Sequence, residues 1–291
     1  MRCVFVACLL GLFGFVAQGQ FLDLARIEHT YVPGHSSNFE YHRTRFVFNY
    51  PFQVKKDAYL FTGLDYSNVN FGYHDGGESF QQLETDNFQM VDINLTYTSL
   101  MSNDWRFAFQ LSPGISSNFE TSLEGTDFVF SSVIAFIKDR KDSKHVKKPN
   151  RIIIGAAYSG NSGIPFPIPF IRYYRKFHPK WSYNIGAPIS NLQFHASEDL
   201  RLKLFATLDG FNGNIQRDQF VGSGERVNRL RLNMILAGTR YEYKFSDHIE
   251  SFLTITRSFN SVVQLRDGRN RVVSFDADNV MHYRVGLRCK I

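Results

Sequence analysis

Residues 281–291 read MHYRVGLRCKI. Met281, Tyr283, Val285, Leu287, Cys289 and Ile291 fall on one side of an extended chain. His282, Arg284, Gly286, Arg288 and Lys290 fall on the other. Side chains of a β-strand alternate between two faces, so this stretch predicts a strand with one apolar and one polar surface. The same two-residue period runs upstream. Val91, Ile93, Leu95 and Tyr97 oppose Asp92, Asn94 and Thr96. Trp105, Phe107, Phe109 and Leu111 oppose Arg106, Ala108 and Gln110, and Leu202, Leu204, Ala206 and Leu208 oppose Lys203, Phe205 and Thr207. In 230–236 the pattern sets Leu230, Leu232, Met234 and Leu236 against Arg231, Asn233 and Ile235. Helical periodicity is hard to find, and no solenoid repeat, low-complexity tract or linker divides the chain.

Composition narrows what such strands can build. Of 291 residues, 43% are hydrophobic and 15% aromatic, with 29 Phe, 14 Tyr and 2 Trp. Disordered chains are poor in aromatics, so disorder is excluded. Beyond the first twenty residues no apolar run reaches the roughly 18–20 residues of a spanning helix. An aromatic surplus in a chain of mean hydropathy −0.24 suits a membrane β-barrel.

Connection lengths point the same way. Short turns fall near Pro51–Asp57, Thr98–Asp104, Phe177–Lys180, Ala196–Asp199 and Phe245–His248. Longer polar connections fall near Asn68–Asp86, Ser112–Thr126, Gly210–Arg226 and Asn260–Asn279, and Lys138–Asn150 is long where a short turn is due. Short turns at one rim and long loops at the other are how outer-membrane barrels are built. Trp105 and Trp181 each begin a strand directly after a short turn, which predicts an aromatic girdle at that rim. The expected strands are 22–32, 39–51, 57–69, 88–98, 105–113, 126–138, 150–159, 166–176, 181–186, 190–195, 200–209, 227–244, 249–259 and 280–291. The fold class is therefore all-β, an antiparallel transmembrane barrel of about 14 strands. The alternative is 12, because 181–186 and 190–195 are shorter than the roughly nine to eleven residues of a tilted spanning strand. A soluble sandwich is the fold-level rival, since alternation alone fits both.

The first 19 residues, MRCVFVACLLGLFGFVAQG, carry a basic start at Arg2, an apolar run Val4–Val16 and small residues Ala17 and Gly19 before a cleavage site. They are expected to be a secretory signal peptide, leaving residues 20–291 as one barrel domain. Cleavage removes Arg2, lowering the formal charge from +6 to +5, and removes Cys3 and Cys8, leaving Cys289 alone. An exported domain without an internal disulfide fits a bacterial envelope.

LARIEHTYVPG at 24–34, FVFNYPFQVKKDAYLFTGLDYSN at 46–68 and the closing alternating strand together resemble an outer-membrane β-barrel family of Gram-negative bacteria that carries only an unknown-function label. The resemblance implies the bacterial outer membrane as location, and a barrel as fold. It implies no substrate and no catalytic residues. The terminal strand partly matches the signal read by the barrel-assembly machinery, with Ile291 where such barrels usually end in an aromatic. Outer-membrane lipid and that machinery are the expected partners.

In such a barrel the apolar face meets lipid and the polar face meets the lumen. That rule points Arg106, Lys203, Arg229, Arg231, His282, Arg284, Arg288 and Lys290 inward, together with Asp92 and Glu250. Basic groups lead, and a positively lined lumen favours anionic solutes. The rival is a sealed interior in which these groups pair and only support the wall. Pro165, Pro167 and Pro169 alternate in PFPIPF and remove up to three donors from one ladder, which predicts a weak wall seam and a lateral opening for a hydrophobic ligand. The bland alternative places them above the bilayer, where missing donors are harmless.

Catalytic chemistry is sparse. Tyr158–Gly163, YSGNSG, lacks the G-x-S-x-G spacing of a nucleophile elbow. His195 and Ser197 lie two apart but at a short-turn rim. The nine histidines show no metal-ligand spacing, and the dispersed basic charge forms no nucleic-acid stripe. No enzyme, cofactor, metal or nucleic-acid partner is expected. The expected function is passive passage of a small anionic or amphipathic solute. The alternative is a structural or assembly barrel with a filled lumen, and the least favoured is an outer-membrane lipid hydrolase using Ser197 or Ser159.

Overall fold

The computed structural model describes residues 23–34, 39–73, 85–102, 104–140, 149–160, 164–221, 224–276 and 279–290. Residues 1–19, the expected signal peptide, lie outside them. The described residues form fifteen strands. They are β1 (Ala25–Val32), β2 (Phe39–Lys55), β3 (Ala58–Tyr73), β4 (Phe88–Leu100), β5 (Trp105–Ser117) and β6 (Phe128–Arg140). Next come β7 (Asn150–Ser159), β8 (Ile164–His178), β9 (Trp181–Gly186), β10 (Ile189–His195) and β11 (Leu200–Val221). The chain ends with β12 (Glu225–Lys244), β13 (Ile249–Asp267), β14 (Asn270–Asp276) and β15 (Met281–Cys289).

Each strand pairs antiparallel with its neighbour, and β15 closes the ring by pairing with both β13 and β1. Fourteen strands form this closed barrel, while β14 pairs only with the far end of β13. Closure leaves no sheet edge around the lower wall, where every backbone ladder has a partner. The two short strands do pair: β9 bonds to β8 and β10, and β10 to β11, so the count is fourteen and not twelve.

Alternation sorts the side chains. Phe46, Phe48, Tyr50 and Phe52 of β2, Leu95 and Tyr97 of β4, Tyr241 and Tyr243 of β12, and Tyr283, Val285 and Leu287 of β15 are exposed on the outer face. Their neighbours in sequence turn inward. The start of β1 and the end of β15 meet at the short-turn rim, where the Leu24 amide donates to the Cys289 carbonyl at 2.8 Å.

Two expected loops prove to be strand. Gly210–Arg226 continues β11 to Val221 and begins β12 at Glu225, and Asn260–Asn279 carries the end of β13 and all of β14. These extensions are polar on one face and apolar on the other, but neither face has the run of exposed apolar side chains seen lower on the wall. The connection between β6 and β7 at residues 141–148 lies outside the described residues.

The extension of β11 leaves the wall. Its pairing with β10 ends at Thr207, and the last bond is from the Leu208 amide to the Pro188 carbonyl at 3.2 Å. Gly210 follows with φ +156°, and a Cβ there would meet the Leu232 carbonyl at 2.1 Å. Only glycine fits this bend. Beyond it, Phe211 is fully buried against Tyr41, Phe71 and Phe88 of β2, β3 and β4, with ring centroids 5.9, 6.3 and 5.8 Å away. Those strands lie on the other side of the barrel, so β11 and β12 together lean across the lumen.

Candidate functional site: the lumen and its plug

The lower lumen is built by a charge ladder on β1, β2, β11, β12, β13 and β15. Register puts Arg45 beside Glu28 and Arg284 beside Thr30, with Glu242 beside Arg201. Inward-facing alternate positions thus bring opposite charges side by side. The Glu242 carboxylate, fully buried, accepts from Lys203 Nζ at 2.6 Å and from Arg288 Nη2 at 2.9 Å, with Arg201 at 3.0 Å. Glu250 takes Arg201, Arg288 and Lys290. Higher up, Asp209 reaches Arg284 at 2.5 Å and Arg43 at 3.8 Å. Arg45 grips Asp65 through Nε at 2.9 Å and lies 3.7 Å from Glu28. Buried charges survive only when paired and hydrogen-bonded, and these are.

A polar cavity of about 950 Å³, walled in part by the ladder itself, opens toward the short-turn rim. Its lining includes six cations (Arg26, Arg45, Arg201, Lys244, Arg288 and Lys290) and five carboxylates (Asp23, Asp65, Glu198, Asp247 and Glu250). Asn94, Thr96 and Gln110 supply a neutral polar wall opposite.

Above the ladder the lumen is filled. Phe211, Leu230 and Leu232 of the leaning hairpin, all fully buried, pack with Val32, Phe39, Tyr41, Val69, Phe71 and Phe88. Gly213 permits the approach, since a Cβ there would stand 2.5 Å from the Phe88 ring. The hairpin's other face is latched to the end of β5 and to the segment between β5 and β6. Ser116 Oγ donates to the Asn212 carbonyl at 2.8 Å, and Asn214 bridges to Ser117 in parallel. Asp127, fully buried in a single 3-10 turn at Gly125–Asp127, accepts from Asn214 Nδ2 and Gln216 Nε2, both at 2.7 Å, and from the Glu124 amide at 2.8 Å. Burial by itself pushes the Asp127 carboxyl up. The donors from Glu124, Ser117, Asn214 and Gln216 outweigh it and hold the carboxyl below the usual range.

The sequence-derived residues fall into distinct places. Lys203, Arg284, Arg288 and Lys290 face the lumen within the ladder. Arg106 is half-buried, in phase with inward-facing Gln110. His282 is 2% exposed, and its ring nitrogens have no hydrogen-bond partner among the described residues. Arg229 and Arg231 differ from expectation. On β12, Leu230, Leu232, Met234 and Leu236 share the inward face with Arg240 and Glu242, so the two arginines lie on the opposite face. The leucines pack on the plug rather than outside, and sequence alternation cannot distinguish those two apolar surroundings.

Trp105 and Trp181 stand at the short-turn rim. Lys138 Nζ lies 5.4 Å above the Trp105 ring, and Trp181 packs on Phe194 at 4.8 Å. Pro165, Pro167 and Pro169 lie on the upper half of β8. There β7 is the sole neighbour among the described residues, because pairing with β9 stops at Arg172 opposite Gly186. A notch therefore separates upper β8 from upper β11, above the short β9–β10 hairpin. His195 bonds to Ser182 at 3.0 Å, while Ser197 Oγ accepts the amides of Asp199 and Leu200 at 3.3 and 3.0 Å. Ser197 is thus a turn-former, and it forms no pair with His195. Sequence reasoning missed Glu28, Asp65, Asp209 and Glu242 as counter-charges and Asp127 as a latch. Alternation in 57–69 and the position of Glu242 two residues from Arg240 were the available signals for two of them.

These features define a class: a closed fourteen-stranded antiparallel barrel with a charged lower lumen and an apolar plug. Residues 35–291 match the model of a family described as Domain of unknown function (DUF6268), and the chain belongs to that family. No curated protein matches it. Among solved structures it is similar to the KdgM porin in complex with disordered oligogalacturonate, at 9% identity over 91% of this chain and 99% of that chain, TM-score 0.37. It is similar to the NanC porin at 11% identity, 92% and 100% coverage and TM-score 0.40. The TodX monoaromatic hydrocarbon channel deltaS2 mutant gives 9%, 93%, 91% and 0.38.

Proposed function

We propose that this protein is an outer-membrane channel for a small anionic or amphipathic solute, closed at its long-loop end by the β11–β12 hairpin. The polar cavity of about 950 Å³ within the barrel carries the reading. An apolar outer face around a wet, charged interior is the arrangement of a barrel that spans lipid. The cavity mouth lies at the short-turn rim, which faces the periplasm in such barrels, after removal of residues 1–19 as a signal peptide. Cations outnumber carboxylates by one in its lining, a small bias toward anions. The notch beside Pro165, Pro167 and Pro169 supplies the lateral route for an apolar solute or tail. The prolines keep that edge free of competing strands, since each removes a donor.

The apolar plug favours a second reading, a structural barrel with a permanently filled lumen. Single-channel recording in planar bilayers separates the two. Stable steps on releasing the latch support a channel, and silence under every condition supports the filled barrel.

A further inference from the structure

The outward positions of β6 mark the lower limit of the apolar wall. Phe128, Phe130, Ile134 and Phe136 are exposed on the outer face, and Lys138 and Arg140 follow in the same phase. This stretch pairs with β5 on one side and β7 on the other, so its side chains stand on the closed wall. The span 128–136 is nine residues, about what a tilted strand needs to cross the apolar layer. Register repeats the change on neighbouring strands. Phe107, Phe136, Ile154 and Ile171 form one outward row, and Trp105, Lys138, Ile152 and Tyr173 form the next. Arg140, Asn150 and Arg175 form the last. An aromatic and then basic margin below an apolar band is the level of lipid headgroups. At this margin lies a groove of about 340 Å³, lined by Met101, Ser102, Trp105, Phe136 and Ile154 and almost wholly apolar. Lys138 Nζ stands over it, 5.4 Å from the Trp105 ring, and pairs with no carboxylate among the described residues. Its sequence neighbour Asp139 turns inward to Arg151. Arg140 meets Asp104 at 3.4 Å in an exposed pair, which contributes little. An apolar slot with two cations at its mouth matches an acyl chain that ends in a phosphate.

We propose that this groove binds a glycerophospholipid of net negative charge from the leaflet at the short-turn rim. An acyl chain lies along Phe136 and Ile154, and the phosphate meets Lys138 and Arg140. Charge complementarity selects this occupant: a zwitterionic headgroup brings its own ammonium close to the two cations and opposes them. The inference rests on the membrane location in the proposed function, and not on the passage of a solute.

The test uses the full mature chain carrying Trp181→Phe, which leaves Trp105 as its one tryptophan. It is folded into phosphatidylcholine vesicles in which a minor share of the lipid, either phosphatidylglycerol or phosphatidylcholine, carries bromine in its acyl chains. Bromine quenches a tryptophan it touches, so Trp105 emission reports the lipid in the groove. Brominated phosphatidylglycerol is expected to quench with an apparent affinity roughly tenfold above that of brominated phosphatidylcholine, in the range that two basic side chains supply at an anionic surface. K138Q/R140Q in the same background is expected to bring the two lipids level while keeping heat-modifiable mobility. If that variant does not fold, K138Q alone is expected to lower the ratio. A preference that K138Q/R140Q retains in full overturns the assignment to these residues. Equal quenching by both lipids in the parent overturns the site and leaves the barrel in the membrane. Quenching by neither lipid overturns the membrane location itself.

Discussion

Asp209 holds the lumen together at one point. It stands on β11 and meets Arg284 of β15 and Arg43 of β2, three strands that do not adjoin in the wall. Removing its charge leaves two buried guanidiniums facing each other, and breaking such a cluster costs about 3–5 kcal/mol. Asp209→Asn should lower the stability of the folded barrel by that order, measured as a shift of the urea midpoint in lipid vesicles. Asp127 acts differently, because its partners are neutral donors and not cations. Its carboxyl is held below the usual range, so it is charged at neutral pH and its contribution is then complete. That contribution fades as pH falls from about 4, the usual aspartate value, through the lower folded value. Hydrogen-exchange protection of the Asn214 and Gln216 backbone amides, taken relative to the intrinsic rate at each pH, should therefore fall below pH about 4 in wild type. In Asp127→Asn that protection should already be low at neutral pH and change little on acidification.

At the scale of elements, the β11–β12 hairpin fills the upper lumen. Phe211 is the residue that seats it, buried against three aromatic rings from β2, β3 and β4. Phe211→Ala should cost about 3–5 kcal/mol locally and free the hairpin from its seat. A spin label on Arg226 should then report faster motion while the lower strands stay protected. The seam is an element-scale question as well. Changing Pro165, Pro167 and Pro169 to Val restores three donors to the free edge of β8, which should let it pair and slow passage of an apolar solute. Unchanged uptake would end the lateral route. The hairpin also shows what the sequence could carry. Strand positions on the lower wall were legible because one face of each meets an apolar exterior and the other a polar lumen. FNGNIQRDQ at 211–219 was not, because its apolar face meets Phe88 and its polar face meets Ser116 and Asp127, so no uniform surroundings impose the alternation. The same cause reversed Arg229 and Arg231: the leucines beside them are apolar for the plug.

For the molecule as a whole, closure fixes the account. Fourteen strands were legible from period and turn spacing, because closure obliges every wall strand to alternate and every short turn to return at one rim. The balance of charge inside was less legible, because Arg284 and Asp209 lie 75 residues apart and only the ring brings them together. A closed barrel with paired interior charges should show heat-modifiable gel mobility, folded and compact before boiling and slower after it. A mature chain soluble without detergent would contradict the barrel in lipid. The central claim is a channel closed by its own β11–β12 hairpin, and single-channel conductance in a planar bilayer tests it most directly. Wild type should rest near the baseline, and the double variant F211A/D127A should give stable steps of uniform size. Stable steps of equal size in both proteins would contradict the plug, and silence in both would contradict the channel.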